Sequence, residues 1–158
     1  MQLQTQVKSN ANIEIMQLDP EQWSVFSEDA HRASFSEFRP AYMDRIDYAL
    51  LAHDSTKRGV LGYVTIRELD AESVYWQYGA AFDSIAKGVL VSRVYQRFID
   101  YMREKYKRIT TLVENTNVSY LKLAMKMGFR IIGVRNFKGM ILVELLLDFE
   151  ENKNAFPI

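Results

Sequence analysis

The side chains able to do chemistry are few. The 158 residues contain no cysteine, which excludes a disulfide, a thiolate nucleophile and a thiolate-held metal. With two histidines, His31 and His53, a zinc site would have to rest mainly on carboxylates, and no metal is expected. His31 precedes Phe35 by four residues, a spacing that puts both on one helical face. Histidine titrates near neutral pH, although one beside apolar residues is more often structural than reactive. The best-defined spacing lies late in the chain, in Asn117-Val-Ser-Tyr120-Leu-Lys-Leu123-Ala124-Met-Lys126-Met-Gly128-Phe129. Taken singly, Asn117 is a helix cap, Gly128 a left-handed C-terminal residue and Phe129 a core side chain.

A scaffold for these residues can be read from composition and periodicity. The length suits a single domain spanning 1–158, with 1–12 and 150–158 as flexible or peripheral ends. Apolar residues make up 48% and charged residues 25%, ordinary globular proportions. Twenty basic residues balance twenty acidic ones, so no global field draws the chain toward nucleic acid or anionic membrane. The run Lys105-Tyr-Lys-Arg108 sits at a helix end, where cations are expected anyway. Residues 1–12 lack the apolar run of a signal peptide, and no segment approaches the roughly 20 apolar residues of a membrane span. The expectation is a cytoplasmic protein without nucleic-acid or membrane partners.

The elements follow in order. Ile13 to Leu18 reads as a strand, and Asp19-Pro20-Glu21-Gln22 as a capped helix start. Trp23, Phe26, Ala30 and Ala33 then recur at helical spacing. Arg39-Pro40 interrupts, and a short helix is expected over Tyr42 to Ile46. Tyr48 to His53 and Val60 to Leu69 form a hairpin around Thr56-Lys57-Arg58-Gly59, and Ser73 to Phe82 a further strand. From about Lys87 to Tyr106 the period turns helical, with Val91, Val94, Tyr95, Phe98 and Met102 in one stripe. Arg108 to Val113 is a strand and Asn117 to Met127 a helix. Gly128 to Arg135 and Met140 to Phe149 close the chain as a hairpin around Asn136-Phe137-Lys138-Gly139. The last strand is apolar on both faces, so it should lie inside the sheet or against a partner. A homodimer that pairs or exchanges this strand is therefore an expectation.

Over residues 13 to 149 this order resembles the GNAT superfamily of N-acetyltransferases. The late segment carries the most specific match. Asn117 opens a helix that Lys126-Met-Gly128-Phe129 closes, Leu123 falls at the expected spacing, and Ile131-Ile132-Gly133 continues into a strand. The resemblance implies an α/β (mixed α+β) fold, with a central, mostly antiparallel sheet of about seven strands flanked by about four helices. It also implies acetyl-CoA as cosubstrate and an amine of a small molecule or protein as acceptor.

The family's pyrophosphate loop has a weaker counterpart in Asp83-Ser84-Ile85-Ala86-Lys87-Gly88-Val89-Leu90. With Gly88 as the last small residue, Ala86 replaces the middle glycine and Asp83 the basic residue. With Gly88 as the middle one, Ile85 and Leu90 are the misfits. Either way, Ser84, Ala86, Gly88 and Val89 could leave backbone N–H groups open to a pyrophosphate, with Lys87 adding positive charge. The strand before that loop maps the family's carbonyl donor to Tyr78-Gly79-Ala80-Ala81, and Gly79 within a strand suggests a bulge or close backbone approach. Asn117 belongs to the implied cofactor site as well.

Catalytic groups are less evident. Some family members carry a glutamate base on this strand, whereas Ser73-Val-Tyr-Trp-Gln-Tyr78 has none. His31, Glu37 and Glu28 on the first helices, and Glu114 at the end of a strand, are the alternatives. The acid Tyr of many members follows the motif's Leu, and here Leu123 is followed by Ala124, with Tyr120 one turn earlier. These departures leave a second reading open, a GNAT-shaped binding or assembly module without catalysis.

Overall fold

The computed structural model describes residues 12–35, 45–56, 59–82 and 89–153. In chain order it contains β1 (Ile13–Leu18), α1 (Pro20–Phe35), β2 (Tyr48–Asp54), β3 (Gly59–Glu68), β4 (Ser73–Ala81) and α2 (Val89–Arg103). There follow β5 (Arg108–Glu114), α3 (Val118–Lys126), β6 (Arg130–Phe137), β7 (Met140–Asp148) and α4 (Phe149–Lys153). The seven strands form one sheet in the order β1-β2-β3-β4-β5-β7-β6. β4 and β5 run parallel, while β1–β2, β2–β3, β5–β7 and β6–β7 are antiparallel. The expected α/β class, a mixed sheet of seven strands and a total of four helices are found among the described residues, the fourth of them being α4 rather than the helix expected over Tyr42 to Ile46.

The chain falls into two compact units. One holds residues up to 67 together with 78–101, and the other holds 68–77 with those from 102 onward.

In the first unit, α1 begins where the sequence marks it. The Gln22 N–H donates to Asp19 Oδ1 at 2.8 Å, and the Asp19 N–H donates back to Gln22 Oε1 at 2.9 Å. This reciprocal cap satisfies donors that a helix start otherwise leaves open. α1 then buries Trp23, Ser27 and Ala30. Phe26, expected on the buried stripe, is instead exposed. Ser27 can be buried because its hydroxyl donates to the Ser24 carbonyl one turn back. Trp23 stacks 5.0 Å from Tyr63 of β3, in a core shared with Leu18, Ala49 and Leu51. α2 turns Leu90, Val94, Tyr95, Phe98 and Ile99 inward, a stripe of helical period in which Leu90 takes the place expected for Val91, itself only half-buried. The helix expected over Tyr42 to Ile46 lies largely outside the described residues.

In the second unit, β7 lies between β5 and β6, so both of its edges are occupied. Its alternate residues Val143, Leu145 and Leu147 are buried. The last strand therefore lies inside the sheet, as its two apolar faces require, and has no free edge to offer a second copy. Lys138 and Gly139 (φ 48° and 81°) turn the closing hairpin. This is a two-residue loop of the kind that needs positive φ at both positions. Asn136 and Phe137, expected in the turn, remain in β6. The chain from 150 starts as helix, where Asp148 Oδ1 accepts the Glu150 and Glu151 N–H groups and Arg130 bonds Glu151 at 2.8 Å.

Candidate functional site

The carbonyl-donor segment Tyr78-Gly79-Ala80-Ala81 ends β4 and belongs to the first unit. Thr65 of β3 fixes its start. The buried Thr65 hydroxyl accepts the Tyr78 N–H at 3.1 Å and donates to the Tyr78 carbonyl at 3.4 Å. Four residues on, the Phe82 N–H donates to the Leu61 carbonyl at 3.0 Å. Backbone groups alternate along a strand. Tyr78, Ala80 and Phe82 therefore address β3, and the N–H groups of Gly79 and Ala81 point to the opposite edge. The side chains of Tyr78, Ala80 and Phe82 pack against the Trp23–Tyr63 core.

Gly79 is required by close approach. A Cβ there would lie 2.9 Å from the Tyr63 carbonyl oxygen. The same crossing requires a second glycine that sequence reasoning missed. A Cβ on Gly62 would meet the Ala80 carbonyl oxygen at 2.6 Å and Val94 Cγ1 of α2 at 3.3 Å. Gly62 thus seats α2 closely against the strands at the end of β4. A glycine among β-branched strand residues was the signal available for it. α2 starts at Val89, and its first turn carries no acidic residue. Ser84, Ala86, Lys87 and Gly88 lie outside the described residues, as does Glu37. His31 lies within α1, where only its backbone is described.

The second unit carries the late motif. Asn117 caps α3, its Oδ1 accepting the Tyr120 N–H at 3.3 Å. Gly128 adopts φ 105°, a left-handed conformation that favours glycine. The Phe129 N–H donates to the Ala124 carbonyl, and the buried Phe129 ring lies 5.9 Å from that of Trp76. Asn117 thus bounds the start of α3, and Gly128 and Phe129 bound its end. Tyr120 is half-buried, and burial pushes its phenol up to about 12. Glu114 is exposed at the end of β5. β5 pairs with β4 from Ser73–Arg108 to Trp76–Thr111.

A carboxylate not foreseen from sequence, Glu144, stands mid-way along β7. It accepts a hydrogen bond from Arg135 Nε and lies over Gly133, whose Cβ would sit 3.6 Å from the carboxyl carbon. Its signal was a lone glutamate within an otherwise apolar strand. Among the described residues, no group of three histidine, aspartate or glutamate side chains could hold a metal. No helix there is long and apolar enough to cross a membrane.

No protein-family model matches the sequence, and no curated protein does either. Solved structures match its fold closely. The spermidine/spermine N-acetyltransferase SpeG from Vibrio cholerae aligns with TM-score 0.69 and 13% identity, over 93% of this chain and 98% of that one. The NatC complex bound to Gag peptide and CoA aligns with TM-score 0.63 and 18% identity, over 87% and 98%. Arabidopsis thaliana NAA60, in complex with a bisubstrate analogue, gives TM-score 0.62 and 14% identity, over 87% and 98%. The chain has the fold of the GNAT acetyltransferases.

Proposed function

We propose that the protein is an acetyl-CoA-dependent N-acetyltransferase acting on an amine of a small molecule or protein. The observation that carries this reading is the backbone at the end of β4. Thr65 occupies the Tyr78 amide, and strand alternation turns the Gly79 N–H to the other edge, past the last residue of β4 that pairs with β5. An N–H held rigidly on a strand, with no side chain at its own Cα, suits an acyl carbonyl whose oxygen gains charge in the transition state. The likeness to N-acetyltransferases, two of them solved with CoA or a bisubstrate analogue, supports the same assignment.

One described feature fits the coenzyme: α2 begins at Val89, right after the small residues of 83–88 in the sequence, and its first turn has no carboxylate to repel a phosphate. Backbone N–H groups of Ser84 to Val89 would hold the pyrophosphate, and Lys87 would add charge. Acetyl-CoA, when bound, supplies the thioester. The Gly79 amide would orient its carbonyl, and a carboxylate or imidazole of the same unit, Glu37 or His31, would take the proton from the amine as it attacks and the thiolate of CoA leaves. Tyr120 is a poor proton donor to a departing thiolate. A phenol near 12 holds its proton far more tightly than a thiol of pKa about 8.5.

The competing reading is a GNAT-shaped module without turnover. The missing glutamate on β4 and the altered loop favour it. Incubation with acetyl-CoA and a panel of primary amines and peptide N-termini separates the two readings. Release of free CoA together with acetylated amine supports the enzyme. Coenzyme binding without transfer to any amine assigns the module.

A further inference from the structure

Successive residues of β7 point to opposite faces of the sheet. Val143, Leu145 and Leu147 are buried, on the side where the Phe129 ring meets that of Trp76. The register carries the other side across the second unit. Tyr75 of β4 aligns with Thr110 of β5, Thr110 with Leu146 of β7, and Leu112 with Glu144. β6 adds Gly133 opposite Glu144 and Arg135 opposite Leu142. A face turned to water is usually polar at its alternate positions. Leu112, Leu142 and Leu146 keep this one apolar, although all three are only half-buried. Glu144 is the charge set among them, and Gly133 puts no side chain over its carboxylate.

The ion pair on this face is one-sided. Arg135 donates to Glu144 through Nε, and its two terminal nitrogens make no hydrogen bond to any described residue. Arg32 and Arg108, by contrast, each commit a terminal nitrogen to a carboxylate. Glu144 is 24% exposed and Arg135 62%, so the inner carboxylate holds the guanidinium by one edge and leaves the other unfilled. The hydrogen bond and charge of Glu144 raise Arg135 above its ordinary value, and Tyr75 adds to this from β4. The free edge of a guanidinium presents two parallel N–H bonds that match the two oxygens of a carboxylate. We propose that this face of the second unit binds an organic carboxylate, its oxygens on the terminal nitrogens of Arg135 and its apolar body along Leu112, Leu142 and Leu146. Glu144 is then a positioning residue. Charge complementarity selects the anion, and the apolar floor selects an organic one over a bare inorganic ion.

Hexanoate and hexylammonium carry the same chain with opposite charge, and so distinguish a site ruled by Arg135 from one ruled by Glu144. In full-length protein labelled at its leucine methyls, hexanoate should shift the signals of Leu112, Leu142 and Leu146 saturably, with half-saturation at about 5 mM. Hexylammonium and inorganic phosphate at the same concentration should leave them in place. Arg135→Gln should weaken the hexanoate response at least about tenfold with an unchanged circular dichroism spectrum. Arg135→Lys, which keeps the charge without the planar fork, should recover only part of it. Arg32→Gln on α1 should bind as wild type. No shift by about 50 mM hexanoate overturns the proposal, as does an equal response to hexylammonium or phosphate, or a response that survives Arg135→Gln.

Discussion

Replacing Tyr120 by phenylalanine removes one hydroxyl from α3 and separates two roles this side chain could have. Its phenol is pushed up to about 12 by burial, against about 10 for a free tyrosine. In the unfolded chain the group ionises near 10, whereas the folded protein keeps the proton until near 12. Between these values the unfolded state binds fewer protons, so stability falls as pH rises. It is fully present below pH 10 and lost through pH 12. The slope is about 1.4 kcal/mol per pH unit and the full shift about 2.7 kcal/mol. Urea unfolding of both proteins at about pH 9 and about pH 11 should show wild type losing about 1.4 kcal/mol more than Tyr120→Phe, since other titrating groups cancel in the difference. Turnover with acetyl-CoA should stay within a few-fold of wild type, because a proton held this tightly is of little use to a departing thiolate. Equal alkaline losses in the two proteins would refute the burial argument. A loss of more than about a hundredfold in turnover, with coenzyme binding unchanged, would identify Tyr120 as the acid.

Gly62→Ala should destabilise the fold by about 2 kcal/mol, since the new methyl would lie 2.6 Å from a backbone carbonyl oxygen that cannot swing aside. Gly59→Ala, with nothing within 4 Å of its Cβ, should be neutral or stabilising by about 0.5 kcal/mol in the same urea titration. Asn117→Ala should cost about 1 kcal/mol through the lost α3 cap, and Asn117→Ser should recover most of it. If Asn117→Ser regains stability but not coenzyme affinity, Asn117 has a binding role beyond the cap.

Much of the fold was legible because local signals agreed with the tertiary structure. The Asp19–Gln22 cap, the inward stripe of α2 and the Asn117 to Phe129 segment each state their structure within a few residues of chain. The misreadings arise where a long-range contact or a permissive backbone decides. α1 has apolar residues on more than one side, so its rotation about the axis was open. Trp23 settled it by stacking on Tyr63, which turned Phe26 outward and Ser27 inward. The closing turn was placed one step early because asparagine is the more familiar turn residue, whereas Lys138 itself adopts φ 48°. Gly62 and Thr65 act on β4 from the neighbouring strand, a partnership that no local spacing encodes. The candidate donor segment was visible as a glycine in a strand. Which of its amides is already taken was not.

The measurement closest to the central claim is isothermal titration of acetyl-CoA, coupled to thermal unfolding at the same ligand concentrations. Binding at one site should raise stability by about 2.7 kcal/mol at a hundredfold excess over Kd. Gly88→Glu, which sets a carboxylate in the loop proposed to hold the pyrophosphate, should abolish both the heat and the shift while leaving the unliganded melting temperature in place. No heat and no shift with wild-type protein at about millimolar acetyl-CoA would contradict the account.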